Sequence, residues 1–271
     1  MKNVLLTGAT GLLGTHLLRM MVSNKDLCIF LLIRDSVKQG ARDRGRNLVS
    51  EIIKRTGDHN AASRIHIISG DIIKDGLGLG ADDAHFLSAN IHEIFHCAAL
   101  TEFRKPLEEV RLFNVGGTKN IMDFSSRCSC LQKLHYISTA FIAGTFKGMF
   151  SECDLDVGQG FNNTYEQSKF EAELLVREYY NSRFHIAIYR PSIVVGEYAT
   201  GETNNFNMFY QPFRSLSLGY FEKIPIDPET VLNLIPCDAA AKAIALLGAE
   251  VRNNCVFHII SHVNTPINDL M

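Results

Sequence analysis

The chain has 271 residues with a formal net charge of −2, and 46% of them are hydrophobic. This length and composition suit one large α/β domain, or one such domain with a small lobe, and exclude a disordered chain. The near-neutral charge argues against a nucleic-acid partner, and no apolar run reaches the ~18 residues of a membrane span. Seven scattered cysteines indicate reduced thiols, so we expect a cytoplasmic protein in which Cys128 and Cys130 are thiols at a helix end rather than metal ligands.

The first fourteen residues predict a turn that binds a dinucleotide. The apolar run 4–6 enters a turn containing Gly8, Gly11 and Gly14, and a helical stretch at 16–22 follows. One glycine makes the tight turn, one lets the backbone approach the phosphates, and one lets helix and strand pack closely. The helix N-terminus adds N–H groups and the positive end of the helix dipole. An ordinary turn is the alternative, and the flanking strand and helix favour the dinucleotide.

Strand-like and helix-like segments alternate after this turn. The predicted strands are 27–33, 65–68, 91–96, 134–138 and 185–190, and the predicted helices are 41–56, 82–89, 107–128 and 165–181. Near-continuous apolar strands separated by helices indicate a parallel sheet covered on both faces. The sequence therefore predicts an α/β fold of the Rossmann type, with a doubly wound parallel sheet.

The pattern loosens from about Gly196. We expect residues 1–195 to form the dinucleotide-binding domain and 196–271 a small C-terminal lobe on the substrate side, interleaved with a late strand at 256–260. Residues 203–220 are rich in Asn, Phe and Tyr and are expected to face the substrate. The chain stops at 268–271, where another helix would begin, which raises the expectation of an incomplete C-terminus.

A tyrosine and a lysine four residues apart open the predicted helix 165–181. Tyr165 and Lys169 share a helix face, and a neighbouring ammonium would lower a tyrosine pKa that is otherwise near ~10. Lys169 is also suited to bind a cofactor ribose. Ser138 and Thr139 end the fifth strand at the same edge of the sheet, where a hydroxyl can bond a substrate carbonyl oxygen. A chance spacing and a strand-end cap are the alternatives, and the position at the cofactor edge favours catalysis.

Arg34 closes the second strand, twenty residues after Gly14. An acidic residue there would bind the ribose 2′-hydroxyl, whereas an arginine suits a 2′-phosphate, so the sequence favours NADP(H) over NAD. Arg44 on the next helix is a second candidate contact, with a solvated basic face of Arg42, Arg44 and Arg46 as the alternative. Asp35 is the feature that argues against NADP(H).

Further candidates lie at the ends of the third and fourth strands. Asp71 is placed to touch the adenine edge, and Ala98 and Ala99 leave room for the cofactor, although small residues at strand ends are also common. Asn114 lies in mid-helix, where a buried amide would brace the site, or it is a surface residue. His96 lies inside an apolar run and is expected to be a core histidine.

Together these motifs resemble those of an extended short-chain dehydrogenase/reductase. Six motifs occur in the same order as in that family: TGATGLLG, the strand end at Asp71, NVGGT from Asn114, STA from Ser138, the Tyr165/Lys169 pair and RPS from Arg190. Finer features are similar to the thioester reductase domains of carboxylic acid reductases and nonribosomal peptide synthetases, and to fatty acyl-CoA reductases. These features include LLIR, GDI followed by GLG, YISTA, RPSIVVGE and NLIPCD, and the resemblance spans roughly residues 1 to 260.

The resemblance implies NADPH-dependent reduction of an acyl thioester, on coenzyme A or a carrier protein, to an aldehyde or alcohol. Thr139 rather than Ser138 would be the catalytic hydroxyl, Tyr165 the proton donor and Lys169 the ribose anchor. The implied cofactor-binding residues are Gly8, Thr10, Gly11, Leu12, Leu13, Gly14, Arg34, Arg44, Asp71, Ile72, Ala98, Ala99, Asn114, Lys169, Pro191, Ser192 and Ile193. A homodimer is common in this superfamily, and no metal is expected.

Two other functions fit the same fold. The first is a nucleotide-sugar epimerase or dehydratase that holds NAD permanently and usually carries an acidic residue at the position of Arg34. The second is a non-catalytic dinucleotide-binding module, which often lacks the tyrosine and lysine pair. The presence of Arg34, Tyr165 and Lys169 favours the thioester reductase.

Overall fold

The computed structural model describes residues 1–203, 209–220, 227 and 229–270. The strands in this part of the chain are β1 Lys2–Thr7, β2 Leu27–Ile33, β3 Ile65–Ser69, β4 Glu93–His96, β5 Lys133–Ile137, β6 His185–Pro191, β7 Ile193–Val195, β8 Val231–Pro236, β9 Cys255–Ile259 and β10 Asn264–Pro266. The α-helices are α1 Leu12–Ser23, α2 Ala41–Thr56, α3 Ala81–Asn90, α4 Leu107–Arg111, α5 Gly117–Arg127, α6 Thr164–Glu178, α7 Tyr210–Ser217 and α8 Cys237–Glu250. Within residues 1–190 these bounds confirm every predicted strand and helix to within a few residues.

Seven strands form one parallel sheet in the order β3-β2-β1-β4-β5-β6-β9. The chain runs outward from β1 through β2 to β3 and then crosses back to β4 on the other side of β1. Thr7 is paired with Leu32 on one side and with His96 on the other, so the turn after β1 faces the ends of both neighbours. This reversal is the switch point at which open α/β sheets bind ligands. The predicted doubly wound Rossmann-type fold is therefore confirmed.

The central strands bury side chains on both faces. Leu6 packs in a cluster with Leu17 of α1 and Ile244 of α8, whereas its neighbour Leu5 packs in a second cluster with Val176 of α6. Because adjacent side chains of a strand point to opposite faces, two covering layers of helices require an almost uninterrupted apolar run. That requirement explains why the strand sequences alone indicated a parallel sheet.

The long helix predicted at 107–128 is helical almost throughout but contains one wider turn. Between α4 and α5, residues Leu112–Gly116 form a π-helical turn. Such single turns are rare and are frequently found at functional sites. This one contains Phe113 and Asn114.

The two cysteines expected as thiols at a helix end lie just after α5. Cys128 is a buried free thiol, and Cys130 is an exposed one.

The C-terminal segment contributes to the main sheet and also forms a second, smaller one. The late strand expected at 256–260 is β9, which pairs with β6. In the small sheet β8 runs parallel to β7 and antiparallel to β10. Part of the stretch expected to face the substrate, 204–208, lies outside the described residues, and so does Met271.

Helix α8 was not predicted from the sequence. It packs on α1, where Cys237 Sγ lies 3.1 Å from His16 Nε2. The Glu197 carboxylate accepts a hydrogen bond from Arg19 Nη1 of α1 at 2.5 Å. Pro236 directly before the helix and the buried, helically spaced Ala240 and Ile244 were the available signals. No helix of the described residues is both long and apolar enough to cross a membrane.

Candidate active site

The glycine turn after β1 is as tight as the sequence predicts. Gly8 has φ +73°, and a Cβ atom there would lie 2.5 Å from the backbone nitrogen of Ala98. A Cβ on Gly14 would lie 2.0 Å from the carbonyl oxygen of Gly8. Neither position accommodates a side chain, because the backbone after β4 and the backbone of the turn itself occupy that space. A bare backbone beside a helix N-terminus is the arrangement that suits a pyrophosphate.

Two cavities meet over the carboxyl ends of the strands and form one groove. Both are lined by Gly11, Cys97 and Ala99. The adenosine-end cavity, about 220 Å³, is also lined by Gly8, Thr10, Arg34, Arg44, Asp71, Ile72, Ala98 and Phe113. The catalytic-end cavity, about 450 Å³, is also lined by Leu12, Leu13, Gly14, Thr139, Tyr165, Lys169, Pro191, Ser192 and Ile193. The predicted site residues thus line this groove, with the exception of Asn114, which braces it from behind.

Two arginines lie at the adenosine end. Arg44 donates hydrogen bonds to the carbonyl oxygen of Arg34 at 2.5 Å and to the Thr10 hydroxyl at 3.2 Å. The Cζ atom of Arg34 lies 5.3 Å from the centroid of the Phe113 ring, within cation–π distance. Both guanidinium groups therefore border the same cavity, beside the end of β2.

Asp35 and the other two arginines point elsewhere. The Asp35 carboxylate accepts a hydrogen bond from the Ala41 amide at 2.7 Å and so caps helix α2. Arg42 is exposed, and the exposed Arg46 lies 3.7 Å from Asp43. The Asp35 carboxylate, which argued against NADP(H), thus serves as a cap for α2. Of Arg42, Arg44 and Arg46, only Arg44 lines the groove.

The two hydroxyls at the end of β5 have different surroundings. Ser138 is buried and donates to a carboxylate oxygen of Glu173 at 2.6 Å. Glu173 in turn binds Arg190 at 2.7 Å, and both side chains are completely buried. Thr139 accepts from the Phe141 amide at 3.2 Å and makes a long contact with the Pro191 carbonyl oxygen at 3.4 Å. Both residues line the catalytic-end cavity, but the Ser138 hydroxyl is engaged by the buried Glu173 carboxylate, whereas the Thr139 hydroxyl hydrogen-bonds Tyr165.

Tyr165 opens α6 at the wall of the catalytic-end cavity. Its ring stacks on Phe103 with centroids 5.4 Å apart. Burial raises the pKa of Tyr165 to about 12, although a hydrogen bond with Thr139 opposes this. The expectation that Lys169 lowers this pKa was wrong, because the Lys169 ammonium is directed at other groups. The phenol is protonated at neutral pH and can act as a proton donor.

Lys169 lies one helical turn further along α6 and is buried. Its Nζ donates to the Tyr136 hydroxyl and to the Ile137 carbonyl oxygen, both at 2.8 Å. Burial lowers the pKa of Lys169 to about 8. Strand β5 therefore holds the ammonium at the floor of the cavity. Tyr136, which sequence reasoning did not single out, is part of this arrangement.

Asn114 is the buried brace that its mid-helix position suggested. Its side chain binds both the amide and the carbonyl of Leu100, at 2.8 and 3.0 Å, and donates to Ser168 Oγ at 2.9 Å. Ser168 donates to the carbonyl oxygen of Tyr165 at 2.8 Å. The π-helical turn thus ties the loop after β4 to the start of α6.

His96 is a core histidine, as expected. Its Nδ1 lies 2.8 Å from the Thr7 hydroxyl and its Nε2 lies 3.2 Å from the Thr118 hydroxyl. Burial lowers the pKa of His96 to about 3, so the imidazole is neutral.

The apolar part of the catalytic-end cavity includes residues of 203–220, the stretch expected to face the substrate, together with residues that the sequence did not single out. It is built mainly from aromatic and aliphatic side chains: Phe103, Phe141, Phe209, Pro212, Phe213, Leu232 and Ile267. Pro212 and Phe213 lie in α7, directly after Phe209, and Leu232 lies in β8 of the small sheet. The aromatic content of 203–220 was the available signal.

The sheet, the glycine turn and the tyrosine and lysine pair define a member of the extended short-chain dehydrogenase/reductase class. The family model described as male sterility protein matches residues 6–244, so the chain belongs to that family. This match confirms the resemblance that the motifs indicated.

Proteins similar to this chain include a peptide synthetase, a fatty acyl-CoA reductase and a solved R domain. The nonribosomal peptide synthetase asaC of Aspergillus flavus is 30% identical over 278 residues, which cover 98% of this chain and 26% of the synthetase. Fatty acyl-CoA reductase wat of Drosophila melanogaster is 27% identical over 286 residues, covering 93% of this chain and 55% of the reductase. The terminal R domain from the myxalamid PKS-NRPS pathway has a TM-score of 0.84 at 28% identity, covering 100% of this chain and 69% of that domain. The chain therefore spans about a quarter and about half of these two curated relatives.

Proposed function

We propose that this protein is an NADPH-dependent reductase that converts an acyl thioester to an aldehyde or alcohol. The observation that carries the proposal is the groove that joins the glycine turn to Thr139, Tyr165 and Lys169. Relatives named as a peptide synthetase and a fatty acyl-CoA reductase support a thioester on a carrier protein or on coenzyme A.

The side chains would divide the reaction between them. Bound NADPH would supply a hydride for the thioester carbonyl carbon. The Thr139 and Tyr165 hydroxyls hydrogen-bond the carbonyl oxygen, and Tyr165 donates the proton as negative charge develops there. The resulting hemithioacetal breaks its C–S bond to release an aldehyde and a free thiol. Lys169 remains an ammonium at the cavity floor, where it binds the cofactor ribose.

The adenosine end supports NADP(H) over NAD(H). Arg34 and Arg44 place two positive charges beside the end of β2, which suits a 2′-phosphate. Asp35 caps α2 and does not compete for the ribose. This preference argues against the NAD-dependent epimerase alternative.

The catalytic end supports an apolar acyl group. Phe141, Phe213 and Leu232 line the catalytic-end cavity with Tyr165, and Phe103 stacks on the Tyr165 ring. Burying an alkyl chain against such a wall contributes roughly 0.8 kcal/mol for each CH₂ group. A carrier protein would deliver the thioester to this end, and seven free thiols support a reducing, cytoplasmic location.

The decisive experiment follows NADPH absorbance with octanoyl-CoA and octanoyl-pantetheine as substrates. Tyr165→Phe is expected to lower kcat by about a hundredfold or more, the usual contribution of a general acid. Tyr179→Phe is the matched control, because it removes a tyrosine hydroxyl that bonds Asp123 outside the cavity. Equal activity of the wild type and Tyr165→Phe, or release of tightly bound NAD on denaturation, would contradict the proposal.

A further inference from the structure

The two arginines at the adenosine end are held in different ways. Arg44 is fixed by two hydrogen bonds, to the carbonyl oxygen of Arg34 and to Thr10. The Arg34 guanidinium makes no hydrogen bond or ion pair with the described residues, and it lies over the Phe113 ring. A free arginine side chain carries considerable rotational entropy, which must be lost when it binds an anion. Whatever restrains Arg34 beforehand therefore strengthens that binding.

The backbone that carries the Phe113 ring is anchored by its neighbour. Phe113 belongs to the π-helical turn and directly precedes Asn114, whose side chain makes three hydrogen bonds to Leu100 and Ser168. The ring is only partly buried and lines the adenosine-end cavity together with Arg34. The π-helical turn thus presents an aromatic face at the end of β2.

We infer that Phe113 is a positioning residue that holds the Arg34 guanidinium in place for the 2′-phosphate of NADP(H). It sets the preference for NADP(H) over NAD(H) through Arg34. The inference rests on the proposed function, because it assumes that the groove binds a nicotinamide dinucleotide. It assigns to the π-helical turn a part in cofactor selection, beyond the bracing provided by Asn114.

The test is titration of NADPH and NADH into purified protein by isothermal calorimetry, without any substrate. Phe113→Leu keeps the volume and removes the ring, and we expect NADPH affinity to fall about two- to fivefold, the effect of an exposed cation–π contact. NADH affinity should not change, since NADH lacks the 2′-phosphate. Phe113→Tyr retains the aromatic face and should bind both nucleotides as the wild type does.

A double-mutant cycle separates a direct effect from one transmitted by Arg34. In an Arg34→Ala background, Phe113→Leu should cause no further loss of NADPH affinity, because the group it positions is gone. Equal losses of NADPH and NADH affinity would show that Phe113 contacts the adenosine itself and would overturn the inference. Unchanged NADPH affinity would overturn it as well. A wild-type protein that binds neither nucleotide would instead refute the proposed function, and melting temperatures of the variants identify any folding defect.

Discussion

The buried ion pair that binds Ser138, next to Thr139, offers a test whose magnitude follows from the structure. Glu173 and Arg190 both have 0% side-chain exposure and lie 2.7 Å apart. Glu173 also accepts the hydrogen bond from Ser138. Glu173→Gln keeps the shape but leaves the Arg190 charge without a counter-ion. Breaking a buried pair in this way costs about 3 kcal/mol or more in the free energy of unfolding.

The same helix supplies a matched control. Glu171 binds Arg111 at 2.6 Å, but their side chains are 24% and 37% exposed. Glu171→Gln should therefore cost about 1 kcal/mol or less, because solvent screens such pairs. Urea unfolding followed by far-UV circular dichroism measures both differences. At ~2 °C per kcal/mol, Glu173→Gln should lower the melting temperature by about 6 °C. If the two variants differ by less than about 1 kcal/mol, the buried pair does not stabilise the end of β5 as argued.

Three further predictions concern activity. Thr139→Ala should lower kcat/KM for octanoyl-CoA by about a hundredfold, whereas Ser138→Ala should mainly lower the unfolding free energy; the reverse ranking would reassign the catalytic hydroxyl. Burial lowers the pKa of Lys169 to about 8, so kcat/KM should decline as pH rises through about 8 and the ammonium is lost. Tyr136→Phe removes an acceptor of that ammonium and should move the decline to lower pH; an unmoved profile would show that another group titrates. Phe213→Lys should lower kcat/KM for octanoyl-CoA relative to succinyl-CoA, and an unchanged ratio would place the acyl group elsewhere.

The nucleotide-binding half of the site could be predicted because its requirements are local. Gly8 and Gly14 are needed where backbone meets backbone, and the spacing to Arg34 reflects the length of one helix and one strand. Such constraints appear directly as residue types at fixed separations. The positions of Asp71 and Ala98 followed from the same alternation of strands and helices.

The catalytic half depends on residues far apart in the chain. Ser138 and Thr139 are adjacent and chemically alike, and only the contact with Glu173, thirty-five residues later, distinguishes them. The raised pKa of Tyr165 reflects burial, which spacing on a helix cannot reveal. The apolar wall also includes Leu232 and Ile267, which line the same cavity as Tyr165 although no local pattern indicates it.

The contact between α1 and α8 has a consequence for how the protein is made. Helix α1 ends at Ser23, but α8 begins only at Cys237. At ~5–20 residues per second, roughly 10–40 s of synthesis separate the two helices on a ribosome. Throughout that interval the face of α1 that carries His16 and Arg19 lacks its covering helix. The nascent chain therefore exposes this face of α1 until α8 has been synthesised, and a chaperone that binds apolar surface would act in that interval.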